Sequence, residues 1–217
     1  MRARPIVVVD YHKGNLSSVE RGLAEAGGTA LVTDDPAAIA RAGALVLPGV
    51  GSFGDAMAYL RESGQDEAIL SAVGRGAPFL GICLGLQLLF ERGTETADGS
   101  AAPGLGVLPG SATRLESSRL KVPHVGWDQL DLTRLGRSCP LFAGVAEGAH
   151  VYFTHSFALA DDVPDAIVTA RTHYARSFAS AVWDEKNVYG VQFHPEKSSA
   201  VGLQILRSFV RLTEGAA

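Results

Sequence analysis

The chain has 217 residues, 47% of them hydrophobic and 19% charged, with a formal net charge of −4. That composition suits a packed globular core and excludes disorder, and the absence of a Lys/Arg cluster argues against nucleic acid as a partner. No apolar run approaches the roughly 18 residues of a membrane span, and the length suits a single domain over residues 1–217.

Ile6–Asp10 is an apolar run expected to form the first buried strand. Asp10 ends it too soon for the core of a signal peptide behind Met1-Arg2-Ala3-Arg4. Leu16, Val19, Leu23 and Ala26 recur at helical spacing, and Gly27-Gly28 stops that helix. Ala44–Leu47 predicts a second strand, broken by Pro48-Gly49. Gln65–Val73 predicts a helix, Phe79–Ile82 a strand, and Leu88-Leu89-Phe90 a helix-like run. Glu95–Ala102 is polar and turn-rich, as a surface loop would be. From Gly104 to about Trp183 strand and turn signals dominate. Ala200–Leu212 closes the chain as an amphipathic helix, with Leu203, Leu206, Phe209 and Val210 on one face. The alternation predicts an α/β fold: a mostly parallel central sheet flanked by helices, with an added antiparallel layer. Sites in such sheets form beyond the carboxyl ends of strands, where Asp10, Pro48, Cys83 and His194 all fall.

Gly81-Ile82-Cys83-Leu84-Gly85 is a G-x-C-x-G run between a strand and a helix, the thiol form of a nucleophile elbow. There the glycines permit a sharp turn, a helix N-terminus favours thiolate, and the Leu84 N–H can donate to an oxyanion. A buried cysteine in a Gly-rich turn is the alternative. Val191-Gln192-Phe193-His194-Pro195-Glu196 brings a histidine to a strand end with a carboxylate two residues on. Cys83, His194 and Glu196 thus supply nucleophile, base and orienting acid, if the fold joins the two strand ends. Two cysteines, one of them in the elbow, make no disulfide framework and fit a reducing cytoplasm. Cys139 reads as an incidental thiol.

These motifs resemble the class I (triad-type) glutamine amidotransferases, and among them the glutaminase subunits of imidazole glycerol phosphate synthase. The closer likeness rests on Asp10-Tyr11…Gly14-Asn15-Leu16-Ser17-Ser18-Val19, Pro48-Gly49-Val50-Gly51-Ser52-Phe53, Val122-Pro123-His124-Val125-Gly126-Trp127, Tyr152–Phe157 and Gln192–Ser198, in the family's order. The resemblance implies a flavodoxin-like fold, glutamine as substrate, Cys83, His194 and Glu196 as triad, and neither cofactor nor metal. It implies oxyanion donors from Leu84 and from the Gly49-Val50-Gly51 loop, whose glycines allow a peptide flip or merely a tight turn. It places Gln87, Ser156 and Phe157 on the substrate, and Asn15, His124, Trp127 and Lys197 in segments that face a partner or the coupling region, although Lys197 reads equally as a solvated lysine. That partner is a HisF-type (β/α)8 cyclase subunit. It would take ammonia for the conversion of the phosphoribulosyl formimino intermediate (PRFAR) to imidazole glycerol phosphate and AICAR in histidine synthesis. A glutaminase for another acceptor enzyme, or a non-catalytic binding subunit, are the competing readings. The family's usual Asp-Tyr-Gly-x-Gly-Asn stands here as Asp10-Tyr11-His12-Lys13-Gly14-Asn15. His12 must then serve a turn that otherwise has glycine, and His tolerates the left-handed region better than most residues.

Overall fold

A computed structural model describes residues 5–12, 14–97 and 99–215. The first half alternates strands and helices: β1 (Ile6–Val9), α1 (Leu16–Glu25), β2 (Ala30–Thr33), α2 (Pro36–Ala40), β3 (Leu45–Leu47), α3 (Phe53–Glu62), α4 (Gln65–Gly74), β4 (Phe79–Ile82) and the single turn α5 (Leu84–Gln87). The second half is strand-rich: β5 (Phe90–Gly93), β6 (Ala102–Pro103), β7 (Leu108–Arg114), β8 (His124–Gln129), β9 (Asp131–Leu132), α6 (Arg134–Ser138), β10 (His150–His155), β11 (Phe157–Leu159), β12 (Val168–His173), β13 (Ser177–Trp183) and β14 (Val188–Val191). The last helix is α7 (Ser199–Glu214).

The main sheet has eight strands in the order β2-β1-β3-β4-β14-β13-β12-β9. From β2 to β14 the pairings are parallel, and beyond β14 they are antiparallel. β1, β3, β4 and β14 are buried along their whole length, as strands without charged side chains should be when helices cover both faces. Alternation along each strand divides the core. Leu45, Leu47 and Phe79 face Phe53, Met57 and Ile69 of α3 and α4. Val46, Leu80 and Ile82 face Val19 and Leu23 of α1 and Ile205, Leu206 and Phe209 of α7. The helix starts are specified locally: Asn15 Oδ1 accepts from the Ser18 N–H (3.3 Å) and Ser52 Oγ from the Asp55 N–H (3.3 Å).

The expected antiparallel layer is divided. β11-β7-β5-β6 form a four-stranded sheet, in which β5 and β7 run parallel, and β8 and β10 form a separate two-stranded ribbon. The helix-like reading of Leu88-Leu89-Phe90 is corrected: α5 ends at Gln87 and Phe90 opens β5. The Leu88 and Leu89 carbonyls accept from Leu105 (2.8 Å) and Val107 (2.9 Å), so the returning chain replaces the helical bonds. His12 adopts φ 61°, the left-handed turn its position requires, while Lys13 lies outside the described residues.

Candidate active site

The loops that follow β1, β3, β4 and β14 leave one edge of the parallel sheet. Cys83, after β4, has φ 55° and ψ −109°, a conformation an L residue holds only when its surroundings enforce it. A Cβ on Gly85 would stand 1.8 Å from the Leu47 carbonyl oxygen, and one on Gly81 2.6 Å from the Gly85 carbonyl oxygen. The G-x-C-x-G spacing is therefore a packing requirement: α5 must press against the strand ends, and the sulfur is lifted as a result.

Past β14, the His194 N–H donates to the Tyr152 carbonyl at 2.9 Å. A 3-10 turn over Pro195–Lys197 then folds Glu196 back, with Oε1 2.8 Å from His194 Nδ1. Ser198 Oγ closes this corner by donating to the His194 carbonyl (2.7 Å) and accepting from the Tyr152 N–H (2.9 Å). The two side chains of the pair are 4% and 2% exposed. Burial works to lower the His194 pKa; the Cys83 thiol and the Glu196 carboxylate outweigh it and raise it to about 9. Cys83 is thus within electrostatic reach of Nε2, although that nitrogen has no partner meeting hydrogen-bond geometry. At neutral pH the imidazole is cationic, with Nδ1 held by the carboxylate and Nε2 free to serve the sulfur.

A cleft of about 510 Å³ opens over Cys83, within the range of small-molecule sites. It brings together the expected Val50, Gly51, Leu84, Gln87, Ser156 and Phe157. Gly49 lies against the elbow, where a Cβ would meet the Tyr11 hydroxyl at 2.4 Å and Leu84 Cβ at 2.8 Å. The Gln87 side-chain nitrogen donates to the Phe157 carbonyl (2.8 Å) and to Gln192 Oε1 (3.0 Å), leaving its own Oε1 for a ligand.

Ser52, Glu95, Pro123, Thr154 and His155 also line the cleft, beyond the expected set. Glu95, expected in a surface loop, lines the cleft because its carbonyl accepts from the Gly54 N–H (3.0 Å) at the start of α3. Burial raises its pKa against the opposing pull of the Phe53 backbone and Arg114. No local pattern marks it. His155 does carry a signal, since the alternation of Val151, Phe153 and His155 in β10 turns all three inward.

Of the residues expected at a partner surface, Asn15, Lys197 and Trp127 are exposed. His124 is a correction: it is 2% exposed and stacks between Phe153 (4.8 Å) and Tyr174 (4.0 Å). The pleat of β8 turns His124 inward and presents Val125 (56% exposed) and Trp127 (51%) instead.

Residues 7–212 match the family model of the class-I glutamine amidotransferases. The chain is 48% identical over 212 residues to the HisH subunit of imidazole glycerol phosphate synthase from Syntrophotalea carbinolica, covering 94% of this chain and 98% of that protein. To the HisH subunit of Moorella thermoacetica it is 46% identical over 215 residues, covering 98% and 97%. Among solved structures, a glutamine amidotransferase aligns with TM-score 0.72 at 19% identity, over 96% of this chain and 99% of that one. PurLQS from Thermotoga maritima aligns with TM-score 0.71 at 20% identity, also over 96% and 99%. At those identities the structures speak for the fold alone, and the sequence matches speak for the family. The chain belongs to the class I glutamine amidotransferases, in the branch formed by the HisH glutaminase subunits of imidazole glycerol phosphate synthase.

Proposed function

We propose that residues 1–217 act as one domain that hydrolyses glutamine through a Cys83 thioester and hands the ammonia to a HisF-type cyclase subunit in the cytoplasm. The observation that carries this reading is the corner at the end of β14. A buried His194–Glu196 pair leaves one ring nitrogen unpartnered beside Cys83, which itself lines the cleft.

The Cys83 thiolate attacks the side-chain carboxamide carbon of glutamine. Charge on the carbonyl oxygen is met by the Leu84 N–H and by an N–H of the Gly49-Val50-Gly51 loop. His194 gives its Nε2 proton to the leaving nitrogen, and ammonia departs from the thioester. A water then attacks; His194 takes its proton, and glutamate leaves as the thiolate is restored. Glu196 holds the imidazole in register and offsets its charge. Gln87 Oε1 and the Ser156–Phe157 backbone bind the amino-acid end. Among the described cleft residues, Glu95 is the one carboxylate, placed for the α-ammonium. Neither cofactor nor metal takes part.

Free ammonia is largely protonated at neutral pH, so a synthase must take it up under cover. The exposed Trp127 and Val125 of β8, with Asn15 and Lys197, supply the surface for a (β/α)8 cyclase that converts PRFAR to imidazole glycerol phosphate and AICAR.

The test measures glutamate release by the purified chain alone, then with the cyclase and PRFAR present. Little release alone and strong release in the complex is the expected result. Equal release in both would uncouple the chain from this acceptor. Cys83→Ala should abolish glutamine-dependent synthesis, a loss of at least about a thousandfold, and leave synthesis from ammonium salts intact. Loss of both would make Cys83 structural.

A further inference from the structure

Gln192 lies between the end of β14 and His194 and is fully buried. Its side-chain nitrogen is 3.6 Å from Cys83 Sγ, within the longer range of hydrogen bonds to sulfur. Which end of an amide faces a sulfur is normally a matter of assignment. Here the chain of bonds decides it. The Phe157 carbonyl can only accept, so the group of Gln87 facing it at 2.8 Å must be its NH2. The same NH2 has its second donor on Gln192 at 3.0 Å, so Gln192 must present Oε1 there. That leaves the Gln192 NH2 to face Cys83. The Phe157 carbonyl is in turn held by His155 Nδ1 at 2.8 Å. The Gln192 backbone is pinned by donation to the Ser180 carbonyl at 2.9 Å.

We propose that Gln192 is a further catalytic residue: its side-chain amide donates to the Cys83 sulfur and holds it as thiolate, in an orientation imposed by Gln87 and the Phe157 carbonyl. This rests on the reading of Cys83 as nucleophile. It matters because α5 is a single turn, so a long helix dipole is not available to favour the anion. A pre-aimed amide in a buried site does that work without reorganisation. Gln192 then meets the sulfur within hydrogen-bond range, while His194 Nε2, from the same strand end, lies beside it without meeting that geometry.

The test uses the full chain with Gln192→Met and Gln192→Leu, both apolar and near in volume, so that the donor is removed in two ways. The rate of iodoacetamide alkylation is followed against pH, with Cys83→Ala subtracted to remove any signal from Cys139. Both variants should alkylate about tenfold more slowly at neutral pH, since a hydrogen bond to a charged group is worth roughly one power of ten or more. Their profiles should move to higher pH, and kcat for glutamine should fall with KM little changed. A lower kcat with an unmoved alkylation profile would overturn the proposal and leave Gln192 a packing residue. If the wild type and Cys83→Ala alkylate alike and both release glutamate, the nucleophile assignment itself fails, which is a different outcome. Should the variants not fold, the wild-type protein still decides. The Gln192 side-chain NH2 proton resonance must shift when Cys83 is alkylated or replaced by Ala, and an unchanged resonance would overturn the proposal.

Discussion

Two imidazoles are buried near Cys83, and they sit on opposite sides of neutrality. His194, at the end of the parallel sheet, is raised to about 9, against the pull of burial, by Cys83 and Glu196. His155, on the two-stranded ribbon, is lowered to about 3, because burial is met only by the Phe157 carbonyl, while His124, His194 and Arg176 add to the lowering. A neutral His155 donates from Nδ1 to that carbonyl at 2.8 Å, so its Nε2 accepts from His124 Nδ1 at 3.2 Å. One histidine is kept charged beside the sulfur, and the other is kept neutral within a chain of hydrogen bonds. The surroundings differ in the same way. The elbow is locked against β3 and β4 by glycines that admit no side chain, whereas the ribbon pairs only with itself and exposes Val125 and Trp127.

The strongest way to break that contrast is Gly85→Ala. Its Cβ would collide with backbone of β3, and overpacking of this kind costs about 3 kcal/mol or more. Thermal unfolding should fall steeply and glutaminase activity vanish; a wild-type melting curve would show that the elbow has slack. Next in size is Glu196→Gln, which should lower kcat about a hundredfold. With the carboxylate gone, His194 loses a source of its raised pKa. The alkaline decline of activity expected of the wild type as His194 deprotonates near pH 9 should therefore begin at lower pH. A pH–rate profile that keeps its alkaline limb would detach Glu196 from His194.

Trp127→Ala should act on the ribbon alone. Unfolding of the isolated chain should change by no more than about 0.5 kcal/mol. Partner-stimulated glutamate release should fall about tenfold or more, as for an aromatic anchor. Equal stimulation in variant and wild type would move the partner surface elsewhere. The smallest expected effect is that of His155→Gln, about 1 kcal/mol at neutral pH from a lost hydrogen bond. Its pH dependence is the sharper reading. The His155 pKa is depressed on folding, so its contribution is present above about pH 6.5 and is lost as pH falls toward 3. Wild-type stability should decline over that interval more than the variant's, and parallel curves would mean that His155 is not buried neutral.

What is legible in the sequence is what short-range chemistry specifies. β1, β4 and α1 can be read because apolar runs and helical spacing are local, and the meeting of Cys83, His194 and Glu196 because their motifs sit at strand ends. The turn after the elbow resists reading because Leu88-Leu89-Phe90 is apolar in either period, and only pairing with residues 105–108 decides it. Glu95 carries a loop's composition, and a single backbone bond to Gly54 brings it to the cleft. Likeness to the family puts His124 in a segment that faces the partner or the coupling region, and only the pleat of β8 shows that its side chain turns in. The role of Gln192 needs three side-chain contacts at once, which no spacing encodes.

The crowding of Tyr11 over Gly49 also bears on how such a chain can change over generations. Any side chain at position 49 meets the Tyr11 hydroxyl at 2.4 Å before it meets anything of its own loop. Residues far apart in the chain are thereby bound to a common history. A lineage can lose the glycine only after position 11 has become smaller and the Leu84–Gly85 turn, at 2.8 and 2.9 Å, has moved away, and the first of those steps leaves a void beside Cys83. The shortest mutational path out of this loop design runs through a less stable ancestor, which is a reason for descendants to stay where they are.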